Sequence, residues 1–272
     1  MVTQIQQAER FLALHSGPEP LLLPNPWDLG SARLFASLGF TALATTSSGF
    51  AATLGRLDGK VTRDEALAHA AAIVRATDLP VSADLENGFA DSPAGVAETM
   101  RLAAMTGLAG CSVEDFSGRE DDPIYEVPLA VERITAAAEI TASGPIRLVL
   151  TARAENYLHG RPDLADTIAR LQAYQEAGAD VLYAPGLTSL ADIRQVVGSL
   201  DRPVNVLALP GGPVISELAA AGVRRVSVGG GLAFAALGAV AAAARELRER
   251  GTYGFMEHAA AGRTAAQAAF TS

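Results

Sequence analysis

A (β/α)8 barrel of parallel strands is the fold predicted by three features of this 272-residue sequence. Short β-rich runs alternate eight times with longer alanine-rich amphipathic segments, as a parallel sheet with crossover helices requires. The helix-to-strand turns "SLGF", "ATDLPV", "MTGLAG", "EAGAD", "LDRPV" and "AAGVRR" each hold a Gly or Pro that stops a helix before a strand. No low-complexity linker divides the chain, so residues 1–272 are expected to form one domain. An open doubly wound sheet is the rival, but neither "GGPVISEL" nor "GGGLAF" has the glycine spacing of the dinucleotide fingerprint.

Taken in order, "LLLP" at 21–24 is the first strand, followed by a helix over 31–38. "ALATT" at 42–46 precedes a helix over 63–77, and "VSADLE" at 81–86 one over 93–107. "CSVED" at 111–115 is paired with a helix over 128–142, and "RLVLTAR" at 147–153 with one over 162–177. "VLYAP" at 181–185 leads to a helix over 189–200, and "VNVLAL" at 204–209 to one over 213–221. "RVSVGG" at 225–230 ends the series before a long helix over 232–250.

Composition removes several function classes. A net charge of −9 with no clustered basic stripe argues against a nucleic-acid partner. Lys60 is the only lysine among 21 basic residues, so amine chemistry is confined to it and the N-terminus. One cysteine, Cys111, allows no intrachain disulfide. The start "MVTQIQQAERFLALHSG" has no basic region leading into a long apolar core, and no apolar run reaches membrane-spanning length. A cytoplasmic protein without a membrane partner is expected.

In a barrel, chemistry sits where strands end. The first strand ends in "NPWD" with Trp27 and Asp28, and the second in "TSSGF" with Ser47, Ser48 and Gly49, followed by Asp58. The third ends in Asp84 and Glu86, the fourth in Glu114 and Asp115, the fifth in Arg153 and Glu155. The sixth and seventh contribute Tyr183 and Asn205. Strand alternation places Asp84 and Glu86 on one face, where two acids repel each other. A hard cation would neutralise such a cluster, and an all-oxygen set suits Mg²⁺ or Mn²⁺. Zinc is disfavoured, because His15, His69, His159 and His258 are scattered. The bland alternative is that the acids cap helices or pair on the surface.

Arg153 leaves an apolar strand into the predicted mouth, where its guanidinium suits a carboxylate or phosphonate. Its competing role is an ion pair with Glu155. The "SSG" turn offers hydroxyl and N–H groups to a second anionic oxygen. Trp27 is a pocket wall or core. Tyr183 and Asn205 are polar lining or satisfied buried groups.

With "SSG", "LGRLDG", "SADLENGF", "SVED" and "LTARAE" in this order, the chain resembles the isocitrate lyase/phosphoenolpyruvate mutase superfamily. The resemblance runs from "PWDLGSARLFASLGF" to "RVSVGGGLAFAALGA". It implies a barrel that binds Mg²⁺ and a small 2-oxo or 2-hydroxy acid and breaks C–C or C–P bonds beside an enolate-type intermediate. It implies that Asp84 contacts the metal, that Asp58, Glu86 and Glu114 hold its waters, and that Ser48, Gly49 and Arg153 bind the carboxylate beside Trp27. It also implies a homo-oligomer, dimer or tetramer, whose C-terminal helices are exchanged between neighbours. The chain departs from the pattern after its fourth strand. Where the lyases carry a Lys-Lys-Cys-Gly-His loop, this chain reads "FSGREDDPIYEVPLAVERI", with no Cys and no His.

The expected activity is therefore a Mg²⁺-dependent lyase reaction, a C–C cleavage or decarboxylation of an oxaloacetate- or methylisocitrate-like acid. Proton delivery falls to Tyr183, Tyr125 or a metal-bound water. The alternatives are a C–P hydrolase or mutase on a phosphonopyruvate-like acid, and a 2-oxo acid binding protein without turnover. A Schiff-base aldolase fits poorly, since Lys60 lies in a loop and not on a strand.

Overall fold

The computed structural model describes residues 2–144 and 146–271. It opens with α1 (Gln4–Leu14), started by a capping box in which Thr3 and Gln6 satisfy each other's backbone N–H groups. Then come β1 (Leu21–Leu23), α2 (Leu29–Ser37), β2 (Leu43–Ala44), the short α3 (Ser47–Thr53) and α4 (Arg63–Ala76). The middle of the chain forms β3 (Val81–Asp84), α5 (Pro93–Ala104), β4 (Gly110–Glu114), α6 (Val127–Ser143), β5 (Val149–Arg153) and α7 (Leu164–Glu176). It continues through β6 (Val181–Tyr183), α8 (Leu190–Gly198), β7 (Val204–Leu207), α9 (Ile215–Ala220) and β8 (Arg225–Ser227). Two helices finish the chain, α10 (Gly231–Arg250) and α11 (Met256–Phe270).

The eight strands are parallel and neighbour one another in the order β1-β8-β7-β6-β5-β4-β3-β2, a nearly closed barrel with helices between strands. At the seam between β1 and β2, Ala44 N–H donates to Pro24 O at 3.3 Å and Asn25 Nδ2 to Thr45 O at 3.1 Å. Pro24 and Pro26 have no N–H to add, which thins the ladder there.

Two apolar layers hold the barrel. Outside the strands, Val113, Ala152 and Leu182 pack with Ile73, Met100, Ile134 and Leu171 from the helices. At the amino-terminal end, Phe11 of α1 packs with Leu21, Ala42, Ala109, Val149 and Val181. Gly110 permits this plug, because an added Cβ would stand 2.9 Å from Phe11 Cε1 and 2.7 Å from Val149 O. Above the plug the interior turns polar.

Three local features differ from the expectations. β3 stops at Asp84, and Glu86 (φ 48°) and Phe89 (φ 55°) turn left-handed, so strand alternation does not align Asp84 with Glu86. The "SSG" segment is the first turn of α3, with Thr46 as its N-cap, and not an open turn. Two helices outside the eight units, α1 and α11, flank the barrel; α11 lies against α2 of the same chain. Among the described residues, no helix is long and apolar enough to cross a membrane.

Candidate active site

Arg153 is the hub of the carboxyl end of the barrel. Its Nη1 lies 3.0 Å from Asp84 Oδ1, its Nη2 3.2 Å from Glu114 Oε2 and its Nε 2.8 Å from Glu155 Oε1. Three adjacent strands deliver this group by register, since Asp84 pairs with Ser112 and Glu114 with Arg153. Burial alone would draw the guanidinium down, but Glu155, Glu114 and Asp84 hold it well above its ordinary value.

Asp84 is further fixed by backbone donors. Its Oδ2 accepts from Ser47 N–H at 3.3 Å, its Oδ1 from Glu86 N–H at 3.3 Å, and its own N–H donates to Thr45 Oγ1 at 3.0 Å. Around it the remaining acids crowd. Burial, then Asp84 and Asp58, push the Glu86 carboxyl up to about 8, against the pull of Arg153. Burial and Asp84 also raise Asp58, which Ser47 and Gly59 N–H partly offset. Burial lifts Glu114 well above the carboxylate range despite Arg153. Glu155 is pushed up to about 7, again by burial first. One guanidinium thus faces three carboxylates, with two more beyond them.

This donor set fits a hard, hydrated cation. Among the described residues, no group of three or more His, Cys, Asp or Glu side chains is drawn together tightly enough to hold an ion directly. What is present is one fixed carboxylate, Asp84, ringed by acids that repel it. Mg²⁺ keeps several waters and takes one or two carboxylates, which matches that arrangement.

The cavity at this end encloses about 170 Å³ and is lined by Ser47, Ser48, Asp58, Asp84, Arg153 and Tyr183, with Arg225 and Ser227 below. Ser48 Oγ lies 3.2 Å from Thr46 Oγ1. Gly49 is buried behind it, its N–H held by Thr46 Oγ1 at 3.3 Å. Trp27 lines a neighbouring apolar groove with Gly49, Ala233 and Leu237. Tyr183 carries Arg153 over its ring at 5.1 Å, and burial pushes its hydroxyl up to about 12. Asn205 lies deeper, donating to Ser227 Oγ at 3.0 Å and accepting from Arg225 Nε at 3.0 Å.

The other acids and donors that the sequence singles out are occupied elsewhere. Asp28 caps α2, and Asp115 pairs with Arg170 and Tyr174 outside the barrel. The Tyr125 hydroxyl donates to Asp91, with Arg133 over its ring at 4.1 Å. Lys60 is exposed in the loop after α3. Cys111 is buried beside Met100 Sδ at 3.5 Å, its thiol pushed up to about 12 by burial. The segment after β4 folds on itself: Phe116 bridges Ile124, and its ring stacks on His159 at 3.7 Å.

Several contributors are not visible in the sequence. Asn25 Oδ1 accepts from Val228 and Gly229 N–H, both at 2.9 Å, and so ties the first strand's loop to the eighth's. Arg133 reaches from α6 to the carbonyls of Asn87, Ala90 and Asp91 and pins the left-handed turn that carries Glu86. Glu155, by contrast, is the ion-pair partner of Arg153 that the sequence offers. Arg225 is hidden in "RRVSVGG", where nothing in a three-residue strand says which arginine turns inward.

Residues 11–248 match the sequence profile of the phosphoenolpyruvate phosphomutase family. An uncharacterized Mycobacterium tuberculosis protein is 34% identical over 241 residues, 88% of this chain and 89% of its own length. The 2-methylisocitrate lyase of Bacillus subtilis is 30% identical over 212 residues, 74% of this chain and 67% of that enzyme. The oxaloacetate decarboxylase of Ectopseudomonas mendocina is 29% identical over 248 residues, covering 88% and 83%. Among solved structures, a candidate lyase/mutase of Burkholderia cenocepacia is 56% identical with a TM-score of 0.91, covering 93% and 92%. A 2,3-dimethylmalate lyase is 28% identical with a TM-score of 0.82, covering 93% and 90%.

Proposed function

The chain belongs to the phosphoenolpyruvate phosphomutase family, and on that premise we propose that it is a Mg²⁺-dependent carbon–carbon lyase. Its substrate is a small 2-oxo or 2-hydroxy carboxylic acid, cleaved or decarboxylated through an enolate-like intermediate. The observation that carries this reading is the charge imbalance at the rim, where Arg153 alone faces Asp84, Glu114 and Glu155. The activities named for two relatives, 2-methylisocitrate lyase and oxaloacetate decarboxylase, support C–C over C–P chemistry.

Asp84 would hold the cation directly, with Asp58, Glu86 and Glu114 holding its waters; Mn²⁺ suits the same oxygens. When bound, the cation supplies positive charge that stabilises negative charge developing on the 2-oxo group. Arg153 and the Ser48–Gly49 start of α3 orient the carboxylate, and Arg133 keeps Glu86 in place. Trp27 backs Gly49 from the apolar side, and Asn205 holds the floor. Tyr183, protonated well past neutral pH, keeps a proton at the cavity wall. Decarboxylation demands least of such a site, since solvent can protonate the product enolate. This suits a chain whose post-β4 segment has no cysteine or histidine.

In this reading, residues 1–272 act as one barrel domain of a cytoplasmic homo-oligomer. The exposed apolar row on α10, with Leu237 at 49% and Val240 at 66% exposure, supports association into a dimer or tetramer. The test is Asp84→Ala in a panel of 2-oxo acids with and without Mg²⁺. We expect kcat/KM to fall by about a thousandfold or more with folding intact. Turnover that survives the substitution, or that needs no divalent cation, would overturn the proposal.

A further inference from the structure

Arg225 opens β8 with its side chain turned into the barrel, and only 5% of the residue is exposed. Its Nε donates to Asn205 Oδ1 at 3.0 Å, and its Nη1 crosses the barrel to Thr151 Oγ1 at 2.9 Å. Both acceptors are neutral. Among the described residues, no carboxylate comes within the 4.0 Å of an ion pair with it.

Two of the other buried arginines have carboxylate partners. Arg153 has three carboxylates, and Arg170 has Asp115 and Asp166. Arg133 has three backbone carbonyls and the Tyr125 ring. A buried cation without a counter-charge is expensive, and an apolar residue of similar volume would fill the same space at lower cost. Burial and Arg153 draw the Arg225 guanidinium down to about 10, which still leaves it charged at neutral pH.

Its position gives that charge a use. Arg225 lines the same cavity as Asp84 and Arg153, and Ser82, Ser112 and Ser227 line it too. Thr151, its partner, precedes Arg153 by two residues on β5, a rise of about 7 Å along the strand. The cavity therefore contains two cations at successive levels. The upper one is flanked by three carboxyl groups, and among the described residues the lower one has none within ion-pair distance.

We propose that Arg225, with Ser82, Ser112 and Ser227, is a carboxylate subsite below the reacting centre. The substrate is then a dicarboxylic 2-oxo or 2-hydroxy acid whose far carboxylate points down the barrel. The subsite rests on the lyase reading above and narrows its substrate class; Arg225 selects substrate and takes no part in bond breaking.

The probes are malate and 2-hydroxybutyrate, which share a carbon skeleton and differ in a carboxylate against a methyl at the far end. Calorimetry on the wild-type protein with Mg²⁺ should show malate binding at least about tenfold tighter. In Arg225→Met the preference should collapse to within about threefold, with 2-hydroxybutyrate affinity unchanged, while Arg225→Lys keeps part of it. No malate preference in the wild type, or a preference that survives in a folded Arg225→Met, overturns the subsite. If Arg225→Met does not fold, a structure of the wild type with malate decides. The far carboxylate on Arg225 supports the subsite, and both carboxylates on Ser48 and Arg153 overturn it. Failure of the lyase reading looks different: no acid is turned over, yet the malate preference persists. Failure of the subsite alone leaves turnover without the preference.

Discussion

Glu114 and Asp115 are consecutive, both are buried, and each lies beside an arginine, yet they belong to opposite sides of β4. Asp115 points outward into the helix layer. Its Oδ1 accepts from Glu155 N–H at 2.8 Å, and its Oδ2 from Tyr174 hydroxyl at 2.6 Å and Arg170 Nη1 at 3.3 Å. Arg170 is completed by Asp166 and the Tyr125 carbonyl, both at 2.8 Å. Glu114 points inward and must share Arg153, at 3.2 Å, with Asp84 and Glu155. Burial and pairing are common to both clusters; the balance of charge separates them. The outer one is closed by hydrogen bonds to fixed partners, as structural networks are. The inner one sets three carboxyl groups on one guanidinium with Asp58 and Glu86 beyond, and burial pushes Glu86, Glu114 and Glu155 up, as at functional sites.

The largest expected effect tests that division directly. Asp115→Ala takes one acceptor from the buried Arg170 and leaves the Tyr174 hydroxyl and the Glu155 N–H without theirs, and should cost about 3–5 kcal/mol of stability. Glu114→Gln relieves like-charge crowding and should change stability by less than about 1 kcal/mol, while turnover falls by about a hundredfold or more. Urea denaturation and a turnover assay on both variants check this. Equal stability losses would break the comparison.

How much of this is legible in sequence follows from the same geometry. The eight strands and their carboxyl-end acids are readable, because period-2 runs bounded by Gly and Pro survive in a single chain. That brings Asp84, Glu114 and Arg153 into view from their places at strand ends. Asp115 adjoins Glu114 in the chain, and only the packing of α7 shows that Arg170 and Tyr174 claim it. The left-handed turn at Glu86 is not readable, because a tertiary contact, Arg133 on three carbonyls, holds it there. Arg225 is obscured by its neighbour: Arg224 is exposed and Arg225 is buried, and three residues are too few for alternation to choose between them. The helices α1 and α11 fall outside the strand–helix rhythm that carries the prediction.

A second, smaller effect sharpens the contrast through pH. Burial, Asp84 and Asp58 push the Glu86 carboxyl up to about 8, so the cation-free folded protein keeps a proton that the unfolded chain has released. The stability tied to that proton is full below the ordinary carboxylate range and is lost as pH rises through about 8. Glu155, at about 7, works in the same direction. Denaturation in chelator should therefore show stability falling from mildly acid to mildly alkaline pH, by at most about 1.4 kcal/mol per pH unit for each group. Glu86→Gln should remove its share of the slope. Mg²⁺ affinity should rise with pH, because binding competes with the same protons. A slope identical in wild type and Glu86→Gln would place the retained proton elsewhere.

The smallest effect concerns Cys111, which shares the outward face of β4 with Asp115. In this chain the segment after β4 has no cysteine, so the lone thiol is the one sulfur nucleophile or acid the protein possesses. Its position argues against such a role: it is buried, it faces Met100 of α5 at 3.5 Å, and burial pushes it up to about 12. A thiol in that state is a small apolar filler. Cys111→Ala should cost about 1 kcal/mol for the lost sulfur contacts and leave kcat/KM within about twofold. Thiol alkylation of the folded protein should be slow for the same reason. A large loss of turnover in a stable Cys111→Ala would mean that the outer face of β4 takes part in the chemistry, and the division between its two faces would fail.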